Sequence, residues 1–340
     1  MMYNDLTKVN LVNIGLMLLS CLIAYIVPLE LFLFSYAVLG PLHYLTQISW
    51  LQKRSFYTHG KYDYLFLIIL CVAIFSLTIF RFPISSPFFI AVGFGSALGL
   101  TFLRQTKHKI IFVCLVIAIA LLARNLTAYA LLFGTFLPTI IHVYIFTGLF
   151  ILYGALKSKS RSGYLSLGVF VGCGLIFFIF NPTLLSVSDN TYLRESYRPF
   201  QKMTFYLSRI LGFSNPESVN DLYVSETGVV LLRFVAYAYT YHYLNWFSKT
   251  SIIRWHEISR SRMSAILFLW ILSIAVYAID YRMGFTVLLF LSIAHVILEF
   301  PLNHQTMWGI VKEIKKRVRP KNVFQEQASH LDSASIDLRI

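Results

Sequence analysis

The chain is short of charge. Lys, Arg, Asp and Glu make up 13% of its 340 residues, against about 25% in an ordinary soluble domain. That is too little to coat a globular surface, which excludes a soluble enzyme. Acids are the scarcest charged class, 15 against 29 basic residues. A glycosyltransferase-type site, built from carboxylates at a membrane surface, therefore has little to draw on. Cysteine offers no framework either. Cys21, Cys71, Cys114 and Cys173 each lie inside an apolar run, and no C-x-x-C pair exists. A zinc ribbon or disulfide scaffold is not expected, and the four read as small buried hydrophobes. The sequence shows no internal repeat, no low-complexity tract and no soluble domain, and inverted repeats of the secondary-transporter kind are not detectable. Disorder is excluded by the high apolar content.

What is abundant is apolar and aromatic: 57% of residues are hydrophobic, with 30 Phe and 21 Tyr. About 20 apolar residues span the hydrocarbon core as a helix. By that ruler ten spans are predicted, at 10–28, 29–51, 63–82, 86–103, 109–124, 129–155, 164–180, 226–248, 263–280 and 283–303. The expected fold is an all-α integral membrane protein, with residues 1–303 forming a polytopic transmembrane domain and 304–340 a polar cytoplasmic tail. The first run, Leu11 to Val27, lacks a small-residue cleavage site and is followed at once by another, so it reads as an uncleaved span.

Charge sets the orientation. With the N-terminus inside, the short inner connections carry Lys53, Arg54 and Lys61; Arg104, Lys107 and Lys109; Lys157, Lys159 and Arg161; and Lys249, Arg254, Arg260 and Arg262. The short outer connections carry single charges, Arg81, Arg124 and Arg282. This is the positive-inside distribution, and it places both termini in the cytoplasm. It also accounts for the net charge of +14 without a nucleic-acid partner, since the basic residues form no stripe interleaved with exposed aromatics. In the long outer loop 181–225, Phe200, Met203, Leu207, Ile210 and Leu211 fall near helical spacing. They predict either an amphipathic helix on the outer surface or an ordinary packed loop.

Polar groups at membrane depth are costly and mark candidate sites. Four of the nine histidines lie inside predicted spans: His43, His142, His242 and His295. Their hosts all run from outside to inside. Counted from outer ends at 29, 129, 226 and 283, their offsets are 14, 13, 16 and 12 residues. At 1.5 Å per residue the four imidazoles lie within about 6 Å in depth. Imidazole is the commonest ligand for Zn, Cu, Fe and Ni, and bundle cores collect ligands from facing helices. The four are candidate metal ligands, with structural hydrogen bonding, substrate contact and proton relay as the other readings. Glu299, four residues after His295 on the same helix face, is a further ligand or an acceptor that orients an imidazole. Asn245, His59, His256 and His304 are further candidates, either to orient a ligand by hydrogen bonding or to replace one. Pro301 is expected to break the last span and Pro41 to kink the second just before His43. Arg233, in the outer third of span eight, is expected to snorkel to the surface or to meet a carboxylate. Tyr237, Tyr239, Tyr241 and Tyr243 read as packing or as pocket lining.

At Gly40-Pro41-Leu42-His43 and at Tyr241-His242-Tyr243-Leu244-Asn245-Trp246, continued to Trp255-His256, the chain distantly resembles the Brp/Blh family of bacterial and archaeal membrane β-carotene dioxygenases. The resemblance covers only these islands. It implies a multi-pass protein of a bacterial cytoplasmic membrane that holds iron with histidines from several helices, with His43 and His242 as ligands, and that cleaves a carotenoid. The chain departs from the family in carrying His295-x-x-x-Glu299 where a paired His-x-x-x-His is expected. Three functions stay open: an iron-dependent oxygenase or oxidase acting on a membrane lipid or an apolar small molecule; a haem-binding electron-transfer protein with at most one haem, since only one histidine layer exists; and a transporter or lipid-modifying protein whose histidines relay protons. The metal is expected to be Fe²⁺, with haem or another transition metal as the alternatives.

Overall fold

The structure is a computed structural model that describes residues 2–80, 86–182, 187–211 and 221–318. Every regular element among the described residues is helical. The main helices are α1 (Met2–Ile26), α2 (Pro28–Gln52), α3 (Asp63–Ile79), α4 (Ser86–Phe102), α5 (Thr106–Ala123), α6 (Thr127–Ser158), α7 (Arg161–Ile179), α8 (Thr191–Tyr197), α9 (Gln201–Ile210), α10 (Glu226–Ser248), α11 (Arg260–Ile279) and α12 (Tyr281–Val318). Seven of these are long and apolar enough to cross a membrane: α1, α2, α5, α6, α7, α11 and α12. Helices α3 and α4 are apolar but 17 residues each. Helix α10 has 23 residues and falls short only in hydropathy.

Local chemistry sets the helix ends. Val27 leaves the helical region because Pro28 follows it, which separates α1 from α2. Ser160, Ser225 and Ser259 cap α7, α10 and α11 by accepting from the backbone N–H three residues on. Lys159 ends α6 in a left-handed conformation. Two helices carry wide turns. In α2, residues Ser35–Leu39 are π-helical, and in α6 the π-helical stretch runs from Leu132 to Phe146. A proline that cannot donate to a regular ladder follows the first, Pro41, and lies within the second, Pro138.

Four helices form the centre. Helices α2 and α6 each pack against both α10 and α12, closing a ring in the order α2, α10, α6, α12. Helices α1 and α7 flank α10, while α3, α4 and α11 flank α12, and α5 stands outside α4. The outer faces carry exposed Leu122, Ile179, Phe268 and Ile69, which suits contact with lipid.

The structure alters several expectations. Helix α12 runs through Pro301 without a break to Val318, so the start of the expected tail is helical, and His304, Thr306 and Ile310 are buried in it. Residues 319–340 lie outside the described residues, as do 183–186 and 212–220 of the expected outer loop. The amphipathic segment of that loop is helical, but as α9 it lays Met203, Thr204, Leu207 and Ser208 onto the bundle, leaving Ile210 and Leu211 exposed. Arg233 does not snorkel. It is 1% exposed, donates to Asn181 Oδ1 and lies over the Tyr25 ring at 5.3 Å. Lys109, read as an inner-loop charge, is buried in an ion pair with Asp63 at 2.5 Å.

Candidate metal centre

The four central helices each contribute one imidazole: His43 from α2, His242 from α10, His142 from the π-helical stretch of α6 and His295 from α12. Ring centroids follow the helix ring, with His43–His242 at 4.8 Å, His242–His142 at 4.8 Å, His142–His295 at 5.0 Å and His295–His43 at 5.6 Å. All four side chains are buried. Ligand atoms of His43, His242 and His295 lie within 4.8 Å of one another, a group that can hold a metal ion. With metal–nitrogen distances of about 2.1 Å and the ring centre roughly one ångström further out, neighbouring imidazoles around one ion stand about 4.5–5.2 Å apart. Three of the four observed spacings fall within that range, and His43–His295 at 5.6 Å lies above it.

Hydrogen bonding points the same way. Both ring nitrogens of His43 and of His142 are buried without a partner, as are His242 Nε2 and His295 Nδ1. Leaving such groups unpaired in an apolar interior costs several kcal/mol each, and a shared ion satisfies one nitrogen of each ring it binds. His242 Nδ1 is 2.8 Å from Thr147 Oγ1. If that nitrogen carries the proton and donates to the hydroxyl, Nε2 faces the ring of histidines with its lone pair, the arrangement typical of metal-bound imidazole. Tyr44 stacks on His295 with centroids 4.0 Å apart and planes 22° apart, which fixes that ring's rotation.

A cavity of about 290 Å³ reaches the cluster at His142 and His295. It extends toward the N-terminal ends of α10 and α12, between Tyr36, Tyr44, Tyr239, Tyr243, Phe200 and Phe285. The wide turns of α6 present Gly134, Pro138 and Thr139 to it. Gly134 has no room for a side chain, because a Cβ there would stand 2.5 Å from Pro87 Cγ. Beside the histidines, its polar lining comprises tyrosines with Thr78, Ser86, Thr139 and Ser292, of which Tyr44 bonds with Tyr243 at 2.9 Å and Tyr36 with Ser292 at 3.1 Å. The alternating tyrosines of α10 thus divide. Tyr239 and Tyr243 line the cavity, while Tyr237 and Tyr241 pack on Phe170.

The remaining sequence candidates lie elsewhere. Glu299 is buried one turn beyond His295 and outside the three-histidine group, with Gln47 Nε2 donating to its Oε2. Asn245 accepts from Tyr241 at 3.3 Å, in a network with Asn13 and Ser248. His304 Nε2 is bonded to Phe94 O at 2.8 Å. His59 and His256 are exposed. Sequence reading missed Thr147, Tyr44, Gln47 and Asn303. Gln47 had a legible signal, since it stands four residues after His43 as Glu299 does after His295. Thr147 and Tyr44 had none, because their roles come from neighbouring helices.

No family model, no curated protein and no solved structure matches this chain.

Proposed function

We propose that the chain is a ten-span membrane metalloenzyme, with both termini cytoplasmic and an iron centre held by His43, His142, His242 and His295, that oxidises a lipophilic substrate seated in the aromatic cavity. The observation that carries this reading is the meeting of two features at one place. Imidazoles with unpaired buried nitrogens form the end wall of an apolar cavity. Imidazole-bound iron with vacant positions supplies O₂ activation. The chain's own residues do the rest. Thr147 and Tyr44 hold two imidazoles in orientation. Phe200, Phe285, Tyr239 and Tyr36 exclude water and align an elongated apolar molecule by shape. The candidate substrates are a carotenoid-like molecule or a membrane lipid, and in this orientation the end of the cavity at Pro199 and Phe200 lies toward the outer leaflet.

The histidine spacing argues against the haem reading. Axial imidazoles stand on opposite faces of a macrocycle, whereas here every ring has two imidazole neighbours within 5.6 Å, leaving no slot between them. A proton relay remains the competing role, and it requires no metal.

Elemental analysis and an absorption spectrum of the purified protein decide. Stoichiometric iron without a Soret band is expected. His242→Ala and His295→Ala should each weaken retention by more than the about 10–100-fold that outer-sphere changes cost, with insertion unchanged. Protein that holds no transition metal, or both variants retaining it fully, overturns the centre as drawn.

A further inference from the structure

On the side of the histidine ring away from the cavity, polar side chains continue into the α2–α12 interface. Gln47 lies one turn beyond His43, and Glu299 and Asn303 lie one and two turns beyond His295. The three are 3%, 1% and 1% exposed. Glu299 is the one buried acid among the described residues, and none of the ion pairs found among them involves it. Gln47 Nε2 donates to Glu299 Oε2, which orients the amide and leaves Gln47 Oε1 as a free acceptor. Glu299 Oε1 and Asn303 Oδ1 are acceptors too, and the Asn303 amide N–H, beside the Glu299 carboxylate, is the one further donor among these side chains. Three acceptor oxygens thus share a single donor, and at least two stay unsatisfied.

We propose that Gln47, Glu299 and Asn303 form a second cation site, separate from the histidine ring, for a small monovalent cation of the sodium class. Carboxylate and amide oxygens suit hard ions, whereas a transition metal prefers the imidazoles nearby. A single carboxylate neutralises a single positive charge, and a buried site of low dielectric strongly favours that balance. Divalent oxygen sites gather more carboxylates. The ion supplies what the three oxygens lack, and it relieves the cost of an ionised group at membrane depth. The site stands whether or not the histidines hold iron.

Sodium-22 binding to the purified full-length chain in detergent tests this. One saturable site per chain is expected. Glu299→Gln and Asn303→Leu should each weaken it by about tenfold or more, while His242→Ala should bind sodium as the parent does. Circular dichroism and monodisperse elution show that each variant is folded, and Gln47→Leu provides a third removal of an oxygen. A parent protein without saturable sodium binding, a Glu299→Gln variant that binds as well as the parent, or a folded His242→Ala variant that loses sodium overturns the proposal.

Discussion

Helices α5 and α10 are similar in length, 18 and 23 residues, and opposite in surroundings. Helix α5 is apolar enough to be recognised as a span at once, yet only 11% of it is buried. Its buried residues are Lys109 and Ala120. Helix α10 carries Arg233, His242, Asn245 and four tyrosines, fails the hydropathy test, and is buried without interruption from Val230 to Tyr243. In a bilayer, apolarity measures how much lipid a helix touches. A helix sheltered by protein on all sides is free to carry polar groups, provided that each finds a partner. The most deeply buried helix is therefore one that looks little like a membrane span.

The contrast can be broken by substitution. The largest effect is expected for Tyr241→Ala in α10. It removes a fully buried ring and takes from Asn13 Oδ1 one of its two donors, leaving Ser248 alone. A loss of about 3–5 kcal/mol is expected, read as a lowered thermal midpoint in lipid nanodiscs. A midpoint shift no larger than that of a lipid-facing variant would show that α10 is not the packed centre. Next comes Arg233→Leu, which unpairs Asn181 and strips the cation from the Tyr25 face, at about 1–3 kcal/mol. A snorkelling arginine would give almost no change. Thr147→Val should leave the midpoint close to the parent's and weaken metal retention by about 10–100-fold, because its hydroxyl serves His242 Nδ1. The smallest effect belongs to α5. Leu115→Ala and Ile119→Ala, both exposed, should stay within about 0.5 kcal/mol. Orientation is sharpened separately. Cysteines introduced at Asn190 and Lys159 should be labelled from opposite sides of sealed vesicles, Asn190 from outside, and labelling of both from one side would overturn the ten-span arrangement.

Much of this was legible in the residues. Helix α10 begins and ends where the sequence put it, because Ser225 supplies an N-cap and the polar Ser248-Lys249 pair ends the run. The four histidines converge because hosts of equal direction with equal offsets leave little freedom in depth. Other features were hidden for reasons of physics. Pro301 reads as a helix breaker, yet packing of α12 against α2, α4 and α6 holds the helix through it. Arg233 reads as a snorkelling residue because nothing local announces that Asn181, 52 positions away, will meet it. The π-helical turns have no periodic signature, since the segment around His142 is apolar on every side.

Those turns bear on how such a chain tolerates insertions and deletions. A π-helical turn holds about one residue more than an α-helical turn. The stretch from Leu132 to Phe146 is therefore a place where single residues can be lost by rewinding while the helix still crosses the bundle. A deletion between Pro138 and His142 that leaves the wide turns in place instead rotates Gly134 and Pro138 by about 100° relative to the imidazole, turning them from the cavity wall into neighbouring helices. Homologous chains that differ by one residue between 132 and 141 should accordingly keep the histidine ring and change the shape of what it faces. Length variation in a single helix would then reshape the cavity without replacing a histidine.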